Sequence, residues 1–355
     1  MVKGKEHKMT FTKEDTNIVK GIAILAMVFH HIYPNNTGLP IYTLDNPGFL
    51  QLVASCGKIC VALLTILSGY GLAESYKKII KGGIGGNIRF VFSHYFQLLS
   101  MYWAVYFIVS AVIYLRGGSL IAIYGIGIRG VCNFIIDLLG LGTLFHTSVL
   151  IGGWYLTAII AFYFLFPLFL ILTKKMKWGV LIISYIPWLY YMIMKDVNMH
   201  TDWFLFYIFS FILGIYLSCF NWLNWMKKNA EKKQMIVISI VLLVIMIALR
   251  LYITLPIDPF LSLAVIMVEI VIISKLPHLK RFLCVCGTES ANIWLVHPWL
   301  LGEMATFTFK GYVAKYIVGF FASFAVAYVI SSIKKGTGYN DMVRRIRGKI
   351  VGREA

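Results

Sequence analysis

Lys20 and His31 bracket the stretch KGIAILAMVFHH, which is otherwise apolar except for Gly21 and a second histidine, His30. At 3.6 residues per turn, eleven residues return the helix to within about 20° of the same face and about 16 Å further along its axis. A cation and an imidazole would then share one wall at two depths. The cation suits phosphate or carboxylate. The imidazole, titrating near neutrality, can take a proton from a hydroxyl or carry a group on its own nitrogen. His30 is turned away by about a quarter turn, which fits an interfacial residue better than a partner of His31.

Other ionisable or aromatic side chains punctuate the apolar runs, and they fall into two depths. Lys20, Glu74, Arg89, His94 and Glu289 fall towards one side; His31, Lys58, Trp154 and Arg250 fall towards the other, with His297 near the middle. Ionisable groups are expensive in a bilayer and face a bundle interior or a watery cavity, so two such clusters imply a path between them. Lys58, deep in the second run, is the costliest; a backbone carbonyl or a loop carboxylate is its structural partner. Trp154 fits an interfacial aromatic belt or a stacking platform for a sugar. Arg250 reads as an anchor near a span end. Ser68 lacks a nucleophile elbow and a nearby base, and with Gly69 and Gly71 it reads as a small residue permitting close helix approach.

The elements that must position these groups follow from composition. In 355 residues, 59% are hydrophobic, and the mean hydropathy is +0.79; soluble domains are about 45–50% apolar. Apolar runs long enough to cross a bilayer recur along the chain. An all-α polytopic membrane protein of about ten transmembrane helices is expected, at residues 16–33, 50–73, 89–115, 153–173, 178–194, 202–220, 234–254, 259–275, 289–308 and 311–333. With the N-terminus cytoplasmic, 26 of the 33 Lys and Arg fall in inside segments, within 3–20, 77–89, 174–177, 227–233, 275–281 and after 333. The positive-inside rule then puts both termini in the cytosol. The same clustering argues against nucleic acid as the partner of the net charge of +18, and no cleavable signal is apparent. Residues 1–15 are expected as an N-terminal tail, 16–333 as one membrane-embedded domain, and 334–355 as a basic C-terminal tail. Residues 116–152, too polar and glycine-broken to span, are expected on the outer interface, capping a cavity. The six cysteines lack metal-ligand spacing and read as core packing. No metal is expected, the Cys284/Cys286 pair beside His278 being too weak a signal for zinc.

The first run resembles the opening of the acyltransferase-3 family, multi-pass O-acyltransferases whose first span carries an Arg, ten intervening residues and a His. Here the His is His31, with Lys20 in the place of the Arg. LTILSGYGL (64–72), GGWYLTAIIAFYFLFPLF (152–169) and IWLVHPWL (293–300) are similar to further family segments and occur in the expected order. Members usually carry several Arg entering the third span, where this chain has Arg89 and then His94. Lysine at position 20 keeps the charge but gives up the bidentate fork.

The resemblance implies transfer of an acyl group, typically acetyl, from cytosolic acyl-CoA to a hydroxyl on a cell-envelope or extracellular carbohydrate, in a bacterial plasma membrane. It implies His31 as the catalytic base or acyl carrier, and Lys20, Arg89 and His94 as donor ligands. Lys58, Trp154 and His297 become acceptor or oxyanion contacts. Acyl-CoA is then a substrate, and no tightly bound cofactor is expected. A multi-pass transporter or flippase of an envelope precursor is the competing reading, though the broken helices and repeated halves of that class are not evident.

Overall fold

The computed structural model describes residues 10–32, 49–79, 83–150, 153–194, 203–252, 257–304, 307 and 311–352, and among these residues it is helical with no strand. The helices are α1 (Lys13–Ile32), α2 (Phe49–Cys56), α3 (Ile59–Ile79), α4 (Ile84–Leu115), α5 (Ile121–Tyr124), α6 (Gly127–Leu138), α7 (Gly153–Met176) and α8 (Gly179–Met194). They continue as α9 (Trp203–Cys219), α10 (Trp222–Lys228), α11 (Lys233–Tyr252), α12 (Asp258–Val271), α13 (Pro277–Thr288), α14 (Ser290–Glu303), α15 (Tyr312–Gly336) and α16 (Tyr339–Val351).

Among the described residues each of the ten expected spans overlaps a helix, but they are not ten equal rods. Five stretches among the described residues are long and apolar enough to cross a membrane: Leu52–Lys78, Ile84–Leu115, Gly153–Met176, Lys233–Leu251 and Val313–Gly336. A sixth is added if Leu205–Cys219 and Trp222–Lys228, bent by 60°, form one span. The rest fall short for visible reasons. α1 carries four charged residues, α8 has only 16 residues, and α12 and α14 have only 14 each.

Small residues decide the closest crossings. Gly69 of α3 lies against the Phe211 carbonyl of α9, and Gly214 of α9 against the Ile66 carbonyl of α3. On the other side of the bundle, Gly21 of α1 meets Leu283 of α13, and Gly287 of α13 meets Asn17 of α1. A Cβ at any of these four would collide with backbone, so the backbones approach as small-residue interfaces allow. Gly71, by contrast, has nothing within 4 Å of its Cβ position, so it plays no such part. Two apolar cores result. One gathers Ile24, Val28, Leu63 and Ile266 around α1, α3 and α12; the other gathers Tyr102, Phe162, Phe166 and Phe211 around α4, α7 and α9.

Both tails are more ordered than a solvated reading implies. α1 starts at Lys13 rather than 16, because Thr12 and Asp15 cap each other: Thr12 N donates to Asp15 Oδ2 at 2.6 Å and Asp15 N to Thr12 Oγ1 at 3.3 Å. Asp15 also pairs with Lys227, and Phe11 N donates to Asn224 Oδ1 at 2.8 Å, fastening this end to α10. At the other terminus, residues 334–352 are helical and packed. α15 runs on to Gly336, and α16 turns back along α4, where Tyr339 Oη donates to the Ser100 carbonyl at 2.6 Å.

Residues 116–150 form α5, α6 and a 3₁₀ turn (Gly142–Phe145) fastened to α4 through one buried carboxylate. Asp137 accepts from Tyr102 and Tyr124 hydroxyls, each at 2.6 Å, and from Val149 N at 3.0 Å. Ile128, Val131 and Ile135 on α6 remain exposed, an apolar face suited to an interfacial helix. Cys132 on the same helix is exposed too, so it does not belong to a core as expected; Cys60 and Cys286 do. Cys284, Cys286 and His278 lie on helix α13 rather than in a loop.

Candidate functional site

The expected second span is long and apolar enough to cross a membrane over Leu52–Lys78, but its α-helical hydrogen bonding is interrupted. Gly57 and Lys58 separate α2 from α3, and a Cβ at Gly57 would strike the Ala26 carbonyl of α1. Lys58 lies inside that span, exposed at the interruption. The last carbonyls of α2 carry the negative end of its dipole, and nitrogen donors gather there. His30 Nδ1 lies 3.0 Å from the Ala54 carbonyl, and Arg250 Nη2 donates to the Ser55 carbonyl at 3.4 Å. Arg250 is not the outer anchor expected of it. Its side chain is 12% exposed and its Nε donates to Asp258 Oδ1 at 2.8 Å, tying α11 to α12. Lys58 lies within Coulombic range of both members of that pair.

The two adjacent histidines of α1 touch edge to face at 5.3 Å but serve different partners. His30 turns to α2. His31, exposed at the end of α1, holds its ring 5.0 Å from that of His297 on α14. His297 is buried, and its Nδ1 faces two carbonyls, Trp294 at 2.8 Å and Ile293 at 3.1 Å. Carbonyls only accept, so in the neutral ring the proton sits on Nδ1 and Nε2 is an acceptor. Nε2 has no hydrogen-bond partner among the described residues. A neutral His297 thus accepts a proton or a hydrogen bond and does not donate to an oxyanion, contrary to one of the two roles expected of it.

A line of polar and aromatic groups leads away from this pair through the bundle. Trp294 meets Tyr155 of α7 edge to face at 5.1 Å, and Thr65 Oγ1 lies 3.3 Å from the Tyr155 hydroxyl. Ser68 lies beside the hydroxyls of both Tyr155 and Tyr163. Ser68 therefore faces α7, leaving the close approach to α9 to Gly69. Tyr163 in turn meets His94 of α4 at 6.5 Å between ring centroids.

The remaining expected residues are dispersed. Trp154 is half-buried and packs against the buried Tyr207 of α9 at 5.9 Å, inside the bundle rather than in a peripheral belt. His94 packs on Phe90 at 4.1 Å with Nδ1 2.9 Å from the Phe90 carbonyl, and Arg89 is exposed. Lys20 is half-buried, and among the described residues no hydrogen bond or ion pair joins it to Arg89 or His94. The structure does not assemble those three as one cluster. Asp258, Tyr155 and Tyr163 were not singled out in the sequence: a helix-end aspartate and tyrosines in apolar runs carry no spacing signal.

An acyltransferase domain, that of the acyltransferase-3 family, matches residues 14–332. The chain belongs to the acyltransferase-3 family. No curated protein and no solved structure matches it. The matched segment makes this a membrane acyltransferase family member across nearly its whole length, and it encloses His31, Lys58, His297 and the line of groups between α3, α7 and α14. It stops four residues short of the end of α15 and leaves α16 outside.

Proposed function

We propose that this acyltransferase-3 protein moves an acyl group, acetyl in the simplest case, from cytosolic acyl-CoA to a hydroxyl of a cell-envelope carbohydrate, with both termini in the cytosol of a bacterial cell. The observation that carries this reading is the His31–His297 pair at the head of a polar line through the bundle. His31 takes the proton of the acceptor hydroxyl as its oxygen attacks the thioester carbonyl. The C–O bond forms, the C–S bond breaks, and the thiolate leaves with the proton from His31. His297, with Nδ1–H committed to carbonyls, holds the neighbouring ring in place. Lys58, exposed at the helix break, supplies positive charge to the developing oxyanion, and Trp154 forms an aromatic wall for a sugar.

The test is purified protein with radiolabelled acetyl-CoA and extracellular polysaccharide. Label moves to the glycan with wild-type protein and not with His31→Ala. Undiminished transfer by the variant would sink the mechanism. Loss of O-acetyl signals from the polysaccharide on deleting the gene, read by NMR, identifies the acceptor class.

A further inference from the structure

α16 brings a guanidinium to the α4 wall from outside the matched domain. Its axis runs opposite to α4: Tyr339 sits at Ser100, Arg347 Nε lies 3.4 Å from Ser93 Oγ, and Gly352 at the far end comes up against the Arg89 guanidinium. Arg347 is half-buried, and it lies within Coulombic range of both His94 and Tyr163, the two groups that end the polar line from His31. Among the described residues no carboxylate lies within ion-pair distance of it, whereas Arg344 on the exposed side of the same helix pairs with Asp341 at 3.4 Å. A partly desolvated guanidinium whose one hydrogen bond among the described residues is to a serine hydroxyl lacks the counter-charge that usually accompanies it. Burial pulls its pKa below the ordinary value, which an anion beside it would oppose.

We infer that Arg347 is an anion-binding residue of the donor site, taking a phosphate of the acyl-CoA on the α4 wall beside His94, with Arg89 at its rim. This rests on the reading of acyl-CoA as the donor. The guanidinium fork matches a phosphate in two-point contact. The acyl-pantetheine arm then extends from His94 past Tyr163 and Ser68 towards His31.

Binding to the full-length protein in detergent tests this with three probes: coenzyme A, pantetheine, which lacks every phosphate, and inorganic pyrophosphate. Arg347→Gln is expected to weaken coenzyme A by about ten- to a hundredfold and leave pantetheine unchanged, with Arg347→Lys in between. The ratio of the two affinities within one variant is insensitive to partial unfolding. If Arg347→Gln binds coenzyme A within twofold of wild type, or loses coenzyme A and pantetheine equally, the assignment is wrong while acyl transfer stands. If wild type ignores coenzyme A yet binds inorganic pyrophosphate through Arg347, the anion site stands and the donor reading falls. If it binds neither, both fall.

Discussion

His31 and His297 come from opposite ends of the chain and hold their rings 5.0 Å apart. The pairing separates two effects. His31→Ala removes the group proposed to move the proton, and acyl transfer should fall by a factor of 10² to 10⁴, roughly the contribution of a positioned general base. His297→Ala removes only the neighbour that orients it, so kcat should fall by about tenfold to a hundredfold with KM for the donor little changed. An equal loss in KM would assign His297 to substrate binding instead.

Arg250 and Asp258 form a largely buried pair at 2.8 Å. Removing one partner leaves a charge uncompensated, so Arg250→Met or Asp258→Leu alone should each cost about 3–5 kcal/mol. The double substitution should recover much of that loss. Thermal unfolding in detergent measures all three, and additive losses would show that the pair is not coupled.

Gly69 and Gly71 offer an internal control. Gly69→Ala puts a methyl on the Phe211 carbonyl and should destabilise the bundle by about 1–3 kcal/mol, as overpacking does. Gly71→Ala has open space at its Cβ and should leave the unfolding midpoint nearly unmoved. Equal effects would mean that α3 and α9 do not cross where the structure puts them.

The Asp137 hub gives a pH dependence. Burial, then the hydrogen bond to Asp137, raises the Tyr124 phenol above its ordinary value. A proton held more tightly in the folded state stabilises fully below the unfolded pKa, and that contribution is lost as pH rises through the folded one. The attachment of residues 116–150 should therefore hold through neutrality and loosen only above about pH 10. Proteolysis between α5 and α6 as a function of pH reads it directly. In Tyr124→Phe the Tyr124 share of that alkaline loss should disappear, and an unchanged profile would acquit Tyr124.

How far the sequence could be read depended on whether a signal is local. Helices were legible because lipid leaves the backbone no other way to satisfy its own polar groups than helix or closed barrel. His31 stood out partly through its alignment with Lys20 and mainly through the family resemblance, and His297 through its place in an apolar run. Their contact did not, since nothing in the periodicity of either segment reports a contact between two different helices. Gly57 was read through because one glycine in an apolar run does not announce that another helix lies against it. Residues 339–351 looked like a solvated tail, being polar overall, yet two side chains, Tyr339 and Arg347, suffice to lay them along α4. Asp137 carried no signal of its own, and two phenols, Tyr102 on α4 and Tyr124 on α5, turn it inward. For Lys20 the helix was anticipated, and among the described residues no anionic partner accompanies its charge.

With 32 residues, α4 measures about 48 Å, well beyond the roughly 30 Å of hydrocarbon in a bilayer. The Asp137 hub takes hold of it at Tyr102, and the returning C-terminal segment lies along it from Ser100 to Arg89. The two attachments meet near the middle of one rod, so any tilt of that rod carries both with it.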